Sequence, residues 1–183
     1  MKKLLIVLAC VAATVMVSGQ GTLDVRNKVT GTLDAPIFDV DGITKLAGAA
    51  YLAQVYAGPV GGALVAVGDA YPFRTGTGVG YYDYASTGTK VYVSTVAPGA
   101  TAQIQVVAWE AAAGTYADAM ASTSYKFGAS TPFSVVLGDA GSPPSVPAFM
   151  VGLTSFSIAI VPEPSTMVLG LLGAAALLLR RRK

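Results

Sequence analysis

The chain has no histidine, and its one cysteine, Cys10, lies inside an N-terminal apolar run. These absences exclude Ser-His-Asp and Cys-His catalysis, zinc held by imidazole or paired thiolates, haem ligation through histidine, and intrachain disulfides. Charge is scarce as well: Asp, Glu, Lys and Arg make up 12% of the 183 residues, against the roughly 25% usual for a soluble domain. Apolar types reach 53%, so the low charge does not signal disorder. The length of 183 residues accommodates one folded domain with targeting tails and leaves no room for a second catalytic domain. No cofactor and no metal is expected.

The formal net charge of +2 changes sign when it is divided by region. Lys2, Lys3, Arg180, Arg181, Arg182 and Lys183 hold half of the basic residues at the two ends. Between Gln20 and Val161, six cations stand against nine acids, a net charge of −3. The six are scattered along the chain. A nucleic-acid binder needs a basic stripe on its folded part, so no nucleic-acid partner is expected.

Residues 1–19 read as a secretory signal peptide. Lys2 and Lys3 precede an apolar stretch from Leu4 to Val17, and the small residues Ser18 and Gly19 suit cleavage by signal peptidase before Gln20. A buried first helix would need a polar face, and the stretch offers only Cys10 and Thr14. A lipoprotein reading would lipidate Cys10, but Val7-Leu8-Ala9 lacks leucine three residues upstream of it.

The C-terminal end is more specific. Val161-Pro162-Glu163-Pro164-Ser165-Thr166 is followed by an apolar run from Met167 to Leu179 and then by Arg180-Arg181-Arg182-Lys183. Pro162 and Pro164 remove two backbone donors and disfavour helix just before each, which keeps Glu163 extended and accessible. Ser165 can cap a helix that begins beyond them. Thirteen residues of helix span roughly 20 Å, short of the ~30 Å hydrocarbon core. Ser165, Thr166, local thinning and snorkelling arginines extend the reach. The four terminal cations hold the C-terminus cytoplasmic and the body outward.

Taken together, Pro162-Glu163-Pro164-Ser165-Thr166, the apolar run and the basic stop resemble the PEP-CTERM sorting signal of bacterial exported proteins. The resemblance covers residues 162–183. It implies recognition by an exosortase, a membrane protease that cuts at or near Pro162-Glu163-Pro164 and frees the body from a transient inner-membrane anchor. It further implies delivery to the cell surface or extracellular matrix of a Gram-negative bacterium, in association with exopolysaccharide and biofilm.

The body, residues 20–161, is predicted to be all-β: an antiparallel two-sheet sandwich, with a jelly roll as one form. Short β-branched and aromatic runs alternate with Gly, Pro, Asp and Ser clusters. The expected strands are 22–29, 36–40, 43–46, 51–56, 63–67, 79–82, 90–96, 102–109, 124–128, 133–137 and 155–161. Residues 90–96 and 102–109 alternate with period two, and Pro98-Gly99 between them suits a type II turn, which predicts that they form a hairpin. Asp41-Gly42 predicts a second hairpin of the type I′ kind. One short helix is expected over 115–120, with Thr115 as its cap and Asp118 three residues on.

Several side chains invite functional readings. Asp39-x-Asp41-Gly42 has the start of a calcium loop but lacks its third acidic position and distal glutamate, so a hairpin turn is the stronger reading. Paired carboxylates are the one general acid-base device the composition allows, as for a carboxylate-dependent glycan hydrolase; Glu110 and Asp118 lie in the stretch after residues 102–109, and no pattern brings either close to another acid. Tyr81, Tyr82 and Tyr84, with Tyr71 and Phe73 upstream, form the densest aromatic patch. If exposed, they would stack on sugars and make the body a carbohydrate-binding module. Strand alternation places Tyr81 and Tyr82 on opposite faces, which makes at least one of them core. Trp109 reads as a core anchor. Gly76-x-Gly78-x-Gly80 has no βαβ context and reads as a loop. The leading expectation is a noncatalytic exported protein.

Overall fold

A computed structural model describes residues 20–84, 88–139, 141 and 143–160. The expected signal peptide and sorting tail lie outside the described residues. In chain order the first strands are β1 (Gly21–Asp24), β2 (Lys28–Val29), β3 (Leu33–Asp34), β4 (Ile37–Phe38), β5 (Tyr51–Pro59), β6 (Val65–Pro72), β7 (Lys90–Val93) and β8 (Thr101–Glu110). After them come α1 (Tyr116–Ala121), β9 (Lys126–Ala129), β10 (Phe133–Val136), β11 (Gly138–Asp139), β12 (Ala148–Phe149), β13 (Phe156–Ser157) and β14 (Ala159–Ile160).

The body is therefore β-rich with one short α-helix. Where two sheets were expected from sequence, the strands form four among the described residues, of six, four, two and two strands, with no closed barrel. β8 is the spine of the largest. It pairs antiparallel with β5 along one edge and with β9 and then β10 along the other. Its burial explains the central place: Val106 to Trp109 are all buried, so both faces of that stretch need cover. In the four-stranded sheet, the wholly buried β1 pairs antiparallel with β7 and β11 and parallel with β12.

Both larger sheets feed one core. Leu23, Val91 and Val93 from the smaller meet Ala53, Val55, Ile104 and Val106 from the larger. Each fully buried Val, Leu or Ile contributes roughly 1.5–3 kcal/mol, which sustains the fold without disulfides.

The break between β9 and β10 is bridged by a buried serine. Pro132 has no amide to donate, and the ladder with β8 is interrupted there. Ser130 restores it: its amide donates to the Val106 carbonyl at 2.8 Å, and its Oγ accepts from the Val106 amide at 3.0 Å.

Two predicted hairpins are corrected. Gly99 takes the positive φ (+71°) its turn requires, and the Ala100 amide bonds the Ala97 carbonyl at 3.1 Å. Yet β7 pairs with β1 and β8 with β5, so the turn carries the chain between sheets. It docks on Leu137, which exchanges backbone bonds with Gly99 and Ala100 at 3.0 Å each. Alternation gives each strand an inward face but does not choose its neighbour. At Asp41-Gly42 only the glycine has positive φ (+68°), so the turn is not type I′. It is a longer loop closed by the Asp39 amide on the Thr44 carbonyl at 2.7 Å, with Phe38 opposite Lys45. The predicted strand 22–29 divides into β1 and β2, and 79–82 is a turn with one bridge, Phe73 to Tyr82.

The helix follows its sequence signal. Thr115 Oγ1 accepts from the Asp118 amide at 3.1 Å, and the Asp118 side chain accepts from the Thr115 amide at 3.3 Å, a complete capping box. Among the described residues no helix is long and apolar enough to cross a membrane.

Candidate functional site

The last strands fix where the chain leaves the fold. β13 runs parallel to β4, with Phe156 opposite Ile37 and Ser157 opposite Phe38. The Ile158 amide then bonds the Phe38 carbonyl at 3.0 Å, and β14 pairs antiparallel with β9, Ile160 opposite Lys126. The exit is fastened from the side. Lys126 Nζ donates to both carboxylate oxygens of Asp39 at 3.0 Å, and Tyr51 Oη donates to the same carboxylate at 3.4 Å. The Lys126 ammonium is held above its ordinary pKa chiefly by that bond to Asp39. Sequence reading missed this constellation because its members are scattered from residue 39 to residue 126.

Beside the exit, residues 39–44 form an exposed loop whose Gly42 lies next to Ser157. Asp41 accepts from the Ile43 and Thr44 amides at 2.9 and 2.8 Å and from Thr44 Oγ1 at 2.6 Å. Those bonds, the Thr44 hydroxyl foremost, hold its carboxyl below the usual range. With Asp41 turned into its own loop and Asp39 on Lys126, the turn reading accounts for both acids. Among the described residues there is no cluster of three or more potential metal ligands.

The tyrosine patch is built as a packing cluster. Tyr82 is fully buried, stacks on Tyr71 at 5.7 Å and meets Phe73 edge-on at 6.4 Å, and its hydroxyl donates to the Val25 carbonyl. Tyr81 is only 6% exposed. Its hydroxyl donates to Asp34, and Lys28 and Lys45 place their Nζ atoms 4.5 and 5.7 Å from its ring centre. Burial first, then the bond to Asp34 and that carboxylate's charge, push its phenol up to about 12. Tyr84 is half-buried against the core under the Arg74 guanidinium, 4.6 Å from the ring centre. Tyr82 enters the core, whereas Tyr81 lies outside it under Lys28 and Lys45 with its hydroxyl on Asp34, so one of the two is core, as the alternation predicted. The Gly76–Gly78 stretch is a 3-10 turn, in keeping with the loop reading.

A different aromatic group occupies the outer face of the six-stranded sheet. Tyr116 of α1 packs edge-on against Tyr56 at 6.2 Å, Trp109 at 6.0 Å and Phe127 at 6.0 Å. Trp109, 2% exposed, is the anchor its position suggested, and its Nε1 donates to the Gly114 carbonyl at 3.2 Å. Half-buried Tyr56 opposes Gln105, and Gln54 lies two residues away on the same face. Both amides are oriented by backbone carbonyls, Gln54 on Gly68 at 3.1 Å and Gln105 on Ser130 at 2.9 Å. The outward half of the strand alternation was the signal for this face.

Glu110 and Asp118 have structural employment. Glu110 ends β8 and accepts from the Lys126 amide at 3.2 Å, while Asp118 closes the capping box.

The family model for the PEP-CTERM protein-sorting motif matches residues 161–183. The chain thus carries a PEP-CTERM sorting motif, which supports export, exosortase targeting and a transient membrane anchor. The match begins one residue after β14 and includes none of the described body. No curated protein and no solved structure matches the chain.

Proposed function

We infer that the chain is a noncatalytic cell-surface or extracellular-matrix protein, released from the inner membrane of a Gram-negative bacterium by exosortase and held in exopolysaccharide. The observation that carries this reading is the abutment of β14, ending at Ile160, and the sorting motif, beginning at Val161. A single β-rich body is joined directly to its address. The noncatalytic part rests on the carboxylates at hand: Asp39, Asp41, Glu110 and Asp118 each brace a turn, a strand end or a helix cap. Mass spectrometry of extracellular protein tests the reading, with termini expected near Gln20 and near Pro162. Extracellular material that retains Arg180-Arg181-Arg182-Lys183 would overturn it.

A second reading, glycan binding, is favoured by one observation. Tyr56, Gln54 and Gln105 present an aromatic ring and two fixed amides on one face of the sheet, a combination suited to sugars. Retardation in gels containing native exopolysaccharide, lost in Tyr56→Ala and kept in Tyr84→Ala, is the expected result. Unretarded migration of the parent protein in those gels would remove this reading.

A further inference from the structure

We propose that the loop from Asp39 to Thr44 is a membrane-docking tip, which enters the headgroup layer of the bilayer while the uncleaved tail is inserted. The proposal rests on the reading that residues 167–179 lodge in lipid, and extends it to the body. Three observations carry it.

The first is direction. β13 is parallel to β4, so the chain travels from Phe156 toward Ile160 the same way that it travels from Ile37 toward Val40. The tip and the exit therefore point to the same side of the body. Their separation is fixed by the Lys126–Asp39 pair, because Lys126 also stands opposite Ile160.

The second is reach. Residues 161–166 are all that separate Ile160 from the apolar run at Met167. Seven peptide steps extend no more than about 25 Å, and each headgroup layer is itself about 5–7 Å deep. A body on so short a tether has its exit side against the membrane.

The third is chemistry. Ile43 is 81% exposed, the most of any large apolar residue described, and Val40 of the same loop is 51% exposed. Ile160, at the exit, is 46% exposed. Asp39, Asp41 and Glu110 stand against Lys45 and Lys126 there, an excess of one negative charge that repels anionic lipid only weakly. Neither apolar side chain holds a protein on a membrane alone. Tethering raises the local concentration of lipid enough for a weak contact to set orientation. An oriented body presents the segment after Ile160 to a membrane protease in one consistent way.

The test uses the mature chain from Gln20 to Lys183, which contains no cysteine, in vesicles of phosphatidylethanolamine and phosphatidylglycerol. One environment-sensitive fluorophore is placed at Ile43→Cys or at Val60→Cys. Val60 follows β5 at the end opposite Tyr51, and Tyr51 is at the exit. Vesicle flotation reports anchoring, and quenching by acyl-chain nitroxides reports depth. The expected result is that both proteins float, while only the Ile43 label shifts to the blue and is quenched. Flotation with the Ile43 label as wet as the Val60 label overturns the docking tip and leaves the anchor standing. Failure to float overturns the anchor, and the tip with it. A blue shift without vesicles overturns the proposal in favour of a second copy covering the loop.

Discussion

Lys126 and Asp39, 87 residues apart, meet with the lysine Nζ 3.0 Å from both carboxylate oxygens. The pair joins the strand that receives the C-terminal exit to the loop that lies beside it. Both side chains are about four-fifths covered, at 22% and 21% exposed, so solvent screens the pair only in part.

Lys126→Met is expected to destabilise the body by about 1 kcal/mol in urea unfolding, because Asp39 keeps Tyr51 and loses its cation. Exchange of the Ile158 amide, bonded to Phe38 beside the pair, should quicken by more than the global loss explains. Unchanged exchange there would show that the pair does not brace the exit.

Ser130→Ala is expected to cost about 1–3 kcal/mol, since the buried Val106 amide loses its acceptor. The break between β9 and β10 should open with it, read as lost exchange protection at Val106. Ser134→Ala, on the exposed side of β10, should change urea stability little.

Trp109→Ala is expected to cost about 3–5 kcal/mol, because it empties the space under Tyr116 and between β5 and β9. Trp109→Phe keeps an aromatic ring and loses the Nε1 bond to Gly114, and should cost about 1 kcal/mol. Thermal unfolding followed by far-ultraviolet circular dichroism measures both, since Trp109 is the one tryptophan and fluorescence is lost with it.

Tyr81 sets an alkaline limit. Its phenol rises from the ordinary 10.0 to about 12, so the folded state favours the protonated ring. A raised folded pKa contributes stability that is complete below 10 and is lost as the pH climbs toward about 12. Parent protein should therefore lose stability across that window more steeply than Tyr81→Phe, in urea melts at a series of pH values. Parallel curves would remove Tyr81 from the alkaline transition.

Much of the local structure was legible in the chain. Thr115 and Asp118 announce a capping box, and Gly99 announces a positive φ, because each depends on residues within one turn. The alternation expected over residues 102–109 shows in β8 up to Val106 for the same reason, while Val106 to Trp109 are buried on both faces. Partner choice was not legible. β7 and β8 share an obvious turn and go to different sheets, since a two-residue period specifies a face and leaves the neighbour open. For Tyr81 and Tyr82 the alternation gave one core ring of the two, and only the fold decided that it is Tyr82, because period two does not say which face is inward.

By itself the sequence determined the address, because a sorting motif is read from order and composition: two prolines around Glu163, an apolar run and terminal cations. It also determined which chemistries are closed to the body, since absent side chains cannot be supplied by folding. Tertiary structure alone decided which tyrosines are covered, which acids are engaged, and that the exposed Ile43 lies on the side where the chain departs. Those facts depend on contacts across tens of residues, where the burial of one shared core selects among pairings that local patterns leave equal.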